Sequence, residues 1–270
     1  MKRISANRLT FMVGIAGTGP RLLFLTGSSG DLRNANTPLK ASLTRHFEVL
    51  TFDQRGMGQS DKPDLPYTMR DYAQDAAAIL DAVGWEAACV AGYSFGGMVA
   101  QELALGWPER VTRLALVATT AGGKGGASYP IHELDALAGS DRARRGLEIT
   151  DLSFTPEWQA AHPEEAKARI DAKMATGLGF AAELGAATGR RQQLAARAAH
   201  DTYDRLPWIA VPTLVLGGRS DGQAPLAPQK AMAQRIPGSR FEEIDGTHEM
   251  LWRDDAIFAR IARFFSEPAG

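Results

Sequence analysis

Ala87-Ala88-Cys89-Val90-Ala91, then Gly92-Tyr93-Ser94-Phe95-Gly96-Gly97-Met98-Val99-Ala100, is the stretch whose reading decides the architecture. The first five residues are small and apolar without alternation, which suits a strand buried on both faces. From Phe95 to Leu105 the pattern is a small-residue helix, stopped by Gly106, Trp107 and Pro108. Between the two lies G-x-S-x-G. A serine at so abrupt a strand-to-helix turn is held in a strained backbone conformation. Gly92 and Gly96 clear the space beside it, and Gly97 lets the helix lie close to the sheet. The start of the helix aims free N–H groups and the positive end of its dipole at whatever Ser94 attacks.

Working outward, the same texture recurs. Leu9 to Ile15, Leu22 to Leu25, Phe47 to Phe52 and Val111 to Ala118 read as strands before or after the central one. Thr68 and Asp71 have capping-box spacing and open a helix carrying Tyr72, Ala76, Ile79, Leu80 and Val83, ended by Gly84. After Thr120 the texture changes. Gly122, Gly123, Gly125 and Gly126 make a hinge, and about eighty Ala- and Arg-rich residues follow with helical patterning. Strand texture returns at Val211 to Leu216 and Phe241 to Ile244, before an amphipathic C-terminal helix with Met250, Leu251, Ile257, Phe258, Ile261, Phe264 and Phe265. Strands alternating with helices imply an α/β fold, a mostly parallel central sheet with helices on both faces. Residues 1–121 and 206–270 form that core in this reading, and 122–205 form an inserted helical cap.

A serine hydroxyl is a weak nucleophile without a base. Of the five histidines, His46 lies between a helix and a strand, and His132, His162 and His200 fall in the cap. His248 follows a late strand, in Asp245-Gly246-Thr247-His248-Glu249. An acid is expected between nucleophile and base, at the end of a core strand. Leu216-Gly217-Gly218-Arg219-Ser220-Asp221 supplies Asp221, whereas Ala118-Thr119-Thr120 offers none. The chain order Ser94, Asp221, His248 is the one this architecture requires. Asp221 would accept from Nδ1 of His248 and stabilise the imidazolium formed during attack. The oxyanion of a tetrahedral intermediate needs donors in place beforehand. The expected donors are the backbone N–H groups of Phe95 and of Ser28, the latter beside Gly27 after the strand Leu22–Leu25.

Trp158, Met174 and Phe180 either line a substrate pocket with Gly27 or form the cap's own core. Arg190 and Arg191 either meet a substrate carboxylate or lie on a solvated helix face. The Gly122–Gly126 run lacks the G-x-x-x-x-G-K-[ST] pattern of a phosphate loop, and His248-Glu249 lacks a second histidine at zinc-protease spacing. With Cys89 the single cysteine, no internal disulfide and no cysteine-held zinc are expected. The reading therefore includes no metal and no cofactor. A formal net charge of −1 and the absence of a Lys/Arg cluster argue against a nucleic-acid partner. The N-terminal residues lack an apolar signal region, and no apolar run reaches the roughly 20 residues of a membrane helix. A cytoplasmic protein without a membrane partner is expected; the oligomeric state is open.

Together these residues resemble the α/β-hydrolase superfamily over nearly the whole chain. Within it, the resemblance is to the cap-bearing branch of oxoadipate enol-lactonases, small carboxylesterases and cofactor-free perhydrolases. That branch's loop D-x-R-G-x-G-x-S stands here as Asp53-Gln54-Arg55-Gly56-Met57-Gly58-Gln59-Ser60, and His200-Asp201-Thr202-Tyr203-Asp204-Arg205-Leu206 leading into Val211-Pro212-Thr213 is also similar to enol-lactonases. Many relatives carry His-Gly in the oxyanion loop, where this chain has Thr26-Gly27, so the loop must be supported differently. A serine at position 94 separates the chain from dehalogenases and epoxide hydrolases of this fold, which use an aspartate. The resemblance implies hydrolysis of a small-molecule carboxylic ester or lactone through an acyl-enzyme. The alternatives are carbon–carbon bond hydrolysis or perhydrolysis with the same triad, or a slow-turnover ligand receptor on the hydrolase fold.

Overall fold

Each apolar run becomes a strand because the alternate residues of one strand feed two different cores. In the computed structural model, which describes residues 1–176 and 183–268, β1 (Lys2–Ala6), β2 (Leu9–Ala16), β3 (Arg21–Leu25), β4 (Glu48–Phe52), β5 (Ala88–Tyr93), β6 (Val111–Val117), β7 (Thr213–Gly218) and β8 (Arg240–Ile244) form one sheet in the order β1-β2-β4-β3-β5-β6-β7-β8. The first two strands are antiparallel and the pairings from β4 through β8 are parallel. Leu23 and Leu25 of β3, Val90 of β5 and Leu114 and Leu116 of β6 face one core. Leu22, Phe24, Cys89, Ala91, Ala115 and Val117 face the other. This period-2 division is why continuous apolar runs, rather than alternating ones, mark these strands.

The first core is covered by α1 (Met69–Ala82) and α2 (Phe95–Gly106). The capping box at Thr68 forms as expected: its hydroxyl accepts from the Asp71 N–H at 3.1 Å, and the Asp71 carboxylate accepts from the Thr68 N–H at 2.8 Å. Between β6 and β7 the chain builds α3 (Gly139–Thr150), α4 (Pro156–Ala161), α5 (Pro163–Thr176) and α6 (Ala186–Ala198). A small separate core of Ala143, Leu147, Phe154, Ala166 and Ile170 holds α3 to α5. After β7 comes α7 (Leu226–Arg235), and after β8 come α8 (Met250–Arg253) and α9 (Asp255–Phe265), the latter burying Ile257, Phe258, Ile261, Phe264 and Phe265 in the second core.

Three elements differ from the sequence reading. β1 is an additional edge strand, turned into β2 by Asn7 and Arg8 at φ 45° and 62°. The single C-terminal helix is two helices, because the Asp254 carboxylate accepts from the Ala256 N–H at 2.9 Å and starts α9 afresh. Helix α7 was not anticipated between β7 and β8. Among the described residues no helix is long and apolar enough to cross a membrane.

Candidate active site

The parallel register places the ends of β3, β5, β7 and β8 along one edge of the sheet: Leu25 pairs with Gly92 and Gly218 with Ile244. The loops that leave this edge carry the candidate residues, as open α/β sheets arrange their sites.

Ser94 stands between β5 and α2 at φ 53°, ψ −116°, a region that a residue with a side chain rarely enters. Its N–H donates to the Val117 carbonyl at 2.9 Å, which pins the turn to β6. A side chain at position 96 would collide with the backbone oxygens of Leu25 and Thr26, so glycine there lets α2 begin against β3. Ser94 Oγ is 3.0 Å from Nε2 of His248, whose Nδ1 is 2.8 Å from Oδ2 of Asp221. The other Asp221 oxygen accepts from the Ala224 N–H at 2.8 Å. All three side chains are buried. The structure thus brings together the serine, imidazole and carboxylate that the sequence singled out.

The imidazole is held from several sides. Its backbone N–H donates to the Thr150 carbonyl at the end of α3 (2.8 Å), and its carbonyl accepts from the Tyr93 hydroxyl at 2.9 Å. Burial, with the Asp221 and Glu249 charges adding, pushes the Tyr93 phenol far above its ordinary range, so it remains a donor. Gln223 was not singled out in the sequence, yet its Nε2 lies 2.8 Å from Nε2 of His248. With Nδ1–H donating its hydrogen bond to Asp221, Nε2 is the acceptor that the Ser94 hydroxyl and the Gln223 amide share.

Gly27 and Ser28 reach the same point. A Cβ at Gly27 would lie 3.6 Å from Cβ of Ser94 and touch the Tyr93 ring. The Gly30 N–H donates to the Gly27 carbonyl at 3.2 Å, closing the loop as a turn, with Ser29 at φ 59°. Among the described residues the Ser28 N–H has no hydrogen bond, and Phe95 opens α2, where the N–H has no intrahelical partner. Two glutamines support this loop in place of a histidine: Gln54 donates to the Thr26 carbonyl at 2.9 Å, and Oε1 of Gln193 on α6 accepts from the Ser29 N–H at 2.8 Å. Gln54 belongs to the Asp53–Ser60 loop. There the Asp53 carboxylate accepts from the N–H groups of Leu32 (2.7 Å) and Gln59 (2.8 Å), and Arg55 pairs with Asp75 at 2.6 Å. Burial nonetheless raises the Asp53 carboxyl to about 6.

The remaining candidates are placed differently. Trp158 stacks on His162, with centroids 4.6 Å apart, and packs against Phe154 and Arg169 at the border of the small core. Met174 is exposed. Phe180 lies outside the described residues. Arg190 pairs with Asp135 at 2.7 Å, and Arg191 reaches the Thr188 hydroxyl at 3.4 Å. No group of three or more His, Cys, Asp or Glu side chains among the described residues could hold a metal ion.

A family model for the alpha/beta hydrolase fold matches residues 20–255. The chain belongs to the α/β-hydrolase family. As an α/β-hydrolase it is an enzyme, and relatives named as hydrolases span most of its length. It is 34% identical to the 2-hydroxymuconate semialdehyde hydrolase of Pseudomonas sp. strain CF600, over 82% of this chain and 77% of that protein. It is 30% identical to the poly(3-hydroxyalkanoate) depolymerase of Ectopseudomonas oleovorans, over 85% and 79%. The α/β-hydrolase fold itself superposes on the enol-lactonase of Burkholderia xenovorans LB400 with a TM-score of 0.77, covering 98% of this chain and 100% of that one at 24% identity.

Proposed function

We propose that this α/β-hydrolase cleaves a small carboxylic ester or lactone through an acyl-enzyme on Ser94. The observation that carries this reading is the unbroken relay from Ser94 Oγ to Nε2 of His248 at 3.0 Å and from Nδ1 to Asp221 at 2.8 Å. Ser94 Oγ attacks the carbonyl carbon while Nε2 of His248 takes its proton. Asp221 stabilises the resulting imidazolium. The N–H groups of Phe95 and Ser28 hold the oxyanion at the start of α2, where the helix dipole favours negative charge. His248 returns the proton to the departing alkoxide, then draws one from a water that attacks the acyl carbonyl and passes it to the departing Ser94 Oγ, releasing the acid and restoring the serine hydroxyl. Residues 122–205 act as a cap over the site, contacting it where Thr150 accepts from His248 and Gln193 accepts from Ser29.

Ser94→Ala is expected to abolish hydrolysis of short 4-nitrophenyl esters and to prevent labelling of position 94 by a fluorophosphonate, read by mass spectrometry. Turnover like that of the unmodified enzyme in this variant would refute the assignment. A second reading, carbon–carbon bond hydrolysis with the same residues, is favoured by the relative that is named a 2-hydroxymuconate semialdehyde hydrolase. Rates on vinylogous diketones set against rates on esters separate the two.

A further inference from the structure

Nε2 of His248 takes and returns every proton of the ester cleavage, so a side chain beside it stands next to the reacting atoms. Among the described residues two side chains reach it, Ser94 Oγ at 3.0 Å and the Gln223 amide nitrogen at 2.8 Å. The Gln223 backbone is fixed. Its carbonyl accepts from the Tyr129 N–H at 2.7 Å. The next residue, Ala224, donates to Asp221 at 2.8 Å and accepts from the Gln229 amide at 2.6 Å. A side chain at Gly222 would strike Leu152 and the Ile149 carbonyl, so the loop lies tight against the end of α3. The carboxamide itself is held by the imidazole alone: among the described residues it has no other hydrogen bond. Gln223 is half-buried, whereas Ser94 and His248 are buried.

Nε2 of a neutral imidazole offers one lone pair in the ring plane, and here two donors share it. That sharing cannot last through the reaction. Once Ser94 is acylated its oxygen has no hydrogen to give, and a water must come within hydrogen-bond reach of Nε2 to be deprotonated. The Gln223 amide occupies that reach in the free site. The water also carries a second hydrogen, which beside a buried base needs an acceptor of its own. The last torsion of a glutamine side chain is broad, and no further bond holds this one. Drawn back toward its exposed side and turned over, the amide presents Oε1 in place of N–H.

We propose that Gln223 is a further catalytic residue, which holds the water that hydrolyses the acyl-enzyme. This deepens the hydrolase reading and rests on it. The water oxygen bonds to the acyl carbon while one of its hydrogens passes to Nε2 of His248. The other hydrogen stays on that oxygen, donated to Oε1 of Gln223. The bond from the acyl carbon to Ser94 Oγ then breaks, and Nε2 gives its proton to Oγ. The acid leaves with the hydrogen that Gln223 held, and the carboxamide neither gains nor loses an atom. The arrangement selects the nucleophile. A water has one hydrogen for the base and one for Gln223, whereas an alcohol has a single hydrogen and no use for the second acceptor. Gln223 thus favours hydrolysis over acyl transfer to alcohols.

The test is the partition of one acyl-enzyme between two nucleophiles. With 4-nitrophenyl butyrate at a fixed methanol concentration, the ratio of methyl butyrate to butyrate is set after acylation and does not depend on its rate. In Gln223→Met, which keeps the length of the side chain without its amide, that ratio is expected to rise roughly 10- to 100-fold, the size of one lost positioning hydrogen bond. Gln223→Glu restores an acceptor and is expected to bring the ratio most of the way back. An unchanged or lower ratio in Gln223→Met overturns the proposal, and so does a Gln223→Glu ratio as high as that of Gln223→Met. A glutamine that merely steadies the imidazole would slow methanolysis and hydrolysis alike and leave the ratio where it was. Should Gln223→Met fail to fold, Gln223→Leu takes its place with the same expectations. Failure of the hydrolase reading looks different: neither fluorophosphonate nor the butyryl ester modifies Ser94 by mass spectrometry, and neither product forms, which overturns both. Modification of Ser94 with an unchanged ratio overturns the role of Gln223 alone.

Discussion

At the scale of single residues, Asp221 shows how much the site depends on which atom faces which. One oxygen accepts from the Ala224 N–H and the other faces Nδ1 of His248. In Asp221→Asn the amide oxygen keeps the Ala224 bond, because the alternative sets two N–H groups against each other in a buried place. The amide nitrogen then faces Nδ1, which must become an acceptor, and the proton moves to Nε2. There it cannot take the proton of Ser94. The expected outcome is a fall in kcat of about 10³- to 10⁴-fold with KM little changed. Steady-state kinetics on a short 4-nitrophenyl ester would show it, and a KM effect without a kcat effect would remove Asp221 from the proton relay.

At the scale of elements, α2, the end of β6 and the chain returning from α6 toward β7 meet at Gln101. Its amide donates to the carbonyls of Thr120 (3.1 Å) and Gly97 (3.2 Å), and its oxygen accepts from the Thr202 hydroxyl at 2.5 Å, while the Thr202 N–H donates to the Ala121 carbonyl. Thr202→Val keeps the shape and leaves the Gln101 oxygen buried without a donor. It should destabilise the protein by about 1–3 kcal/mol in urea unfolding. An unchanged midpoint would show that the two ends of the chain between β6 and β7 are not fastened here. The central elements were legible because their signals are local: doubly buried strands are continuous apolar runs, and the Thr68 capping box and the turn at Gly92–Gly96 are spelled in a few adjacent residues. β1 was not, because an edge strand packs only weakly. Lys2, Arg3 and Ser5 are exposed, and Ile4 and Ala6 are only half-buried. The break at Asp254 hid inside an apolar period that runs on through it. Ser94, Asp221 and His248, which the structure brings together, could be singled out from their order along strand ends. Gln223 and Gln193 could not, since an amide beside an imidazole and one against the Ser28–Ser29 turn are facts of burial that neighbouring residues do not encode.

At the scale of the whole molecule, two buried groups oppose each other in their response to pH. Burial depresses the His200 imidazole to about 3, with the charges of Arg205 and Arg197 adding, and neither ring nitrogen has a well-formed hydrogen bond. The unfolded chain therefore takes up this proton near its ordinary value of about 6.5 while the folded one does not, so stability is lost as pH falls below that point. Asp53 has the opposite sign. Raised to about 6 from its ordinary 3.8, it binds a proton in the folded protein before the unfolded chain does, and stability is gained as pH falls through about 6. Each slope is at most about 1.4 kcal/mol per pH unit. Between about pH 5 and 6.5 the two compensate, whereas carboxylates held low by ion pairs, such as Asp135 beside Arg190 and Arg142, act only at lower pH. His200→Asn removes one side of the balance, so its urea-unfolding free energy should rise on acidification from pH 6.5 to 5. In Asp53→Asn the trend should run the other way, with stability falling over the same interval. Parallel curves for the two variants would mean that these groups do not titrate as their burial requires.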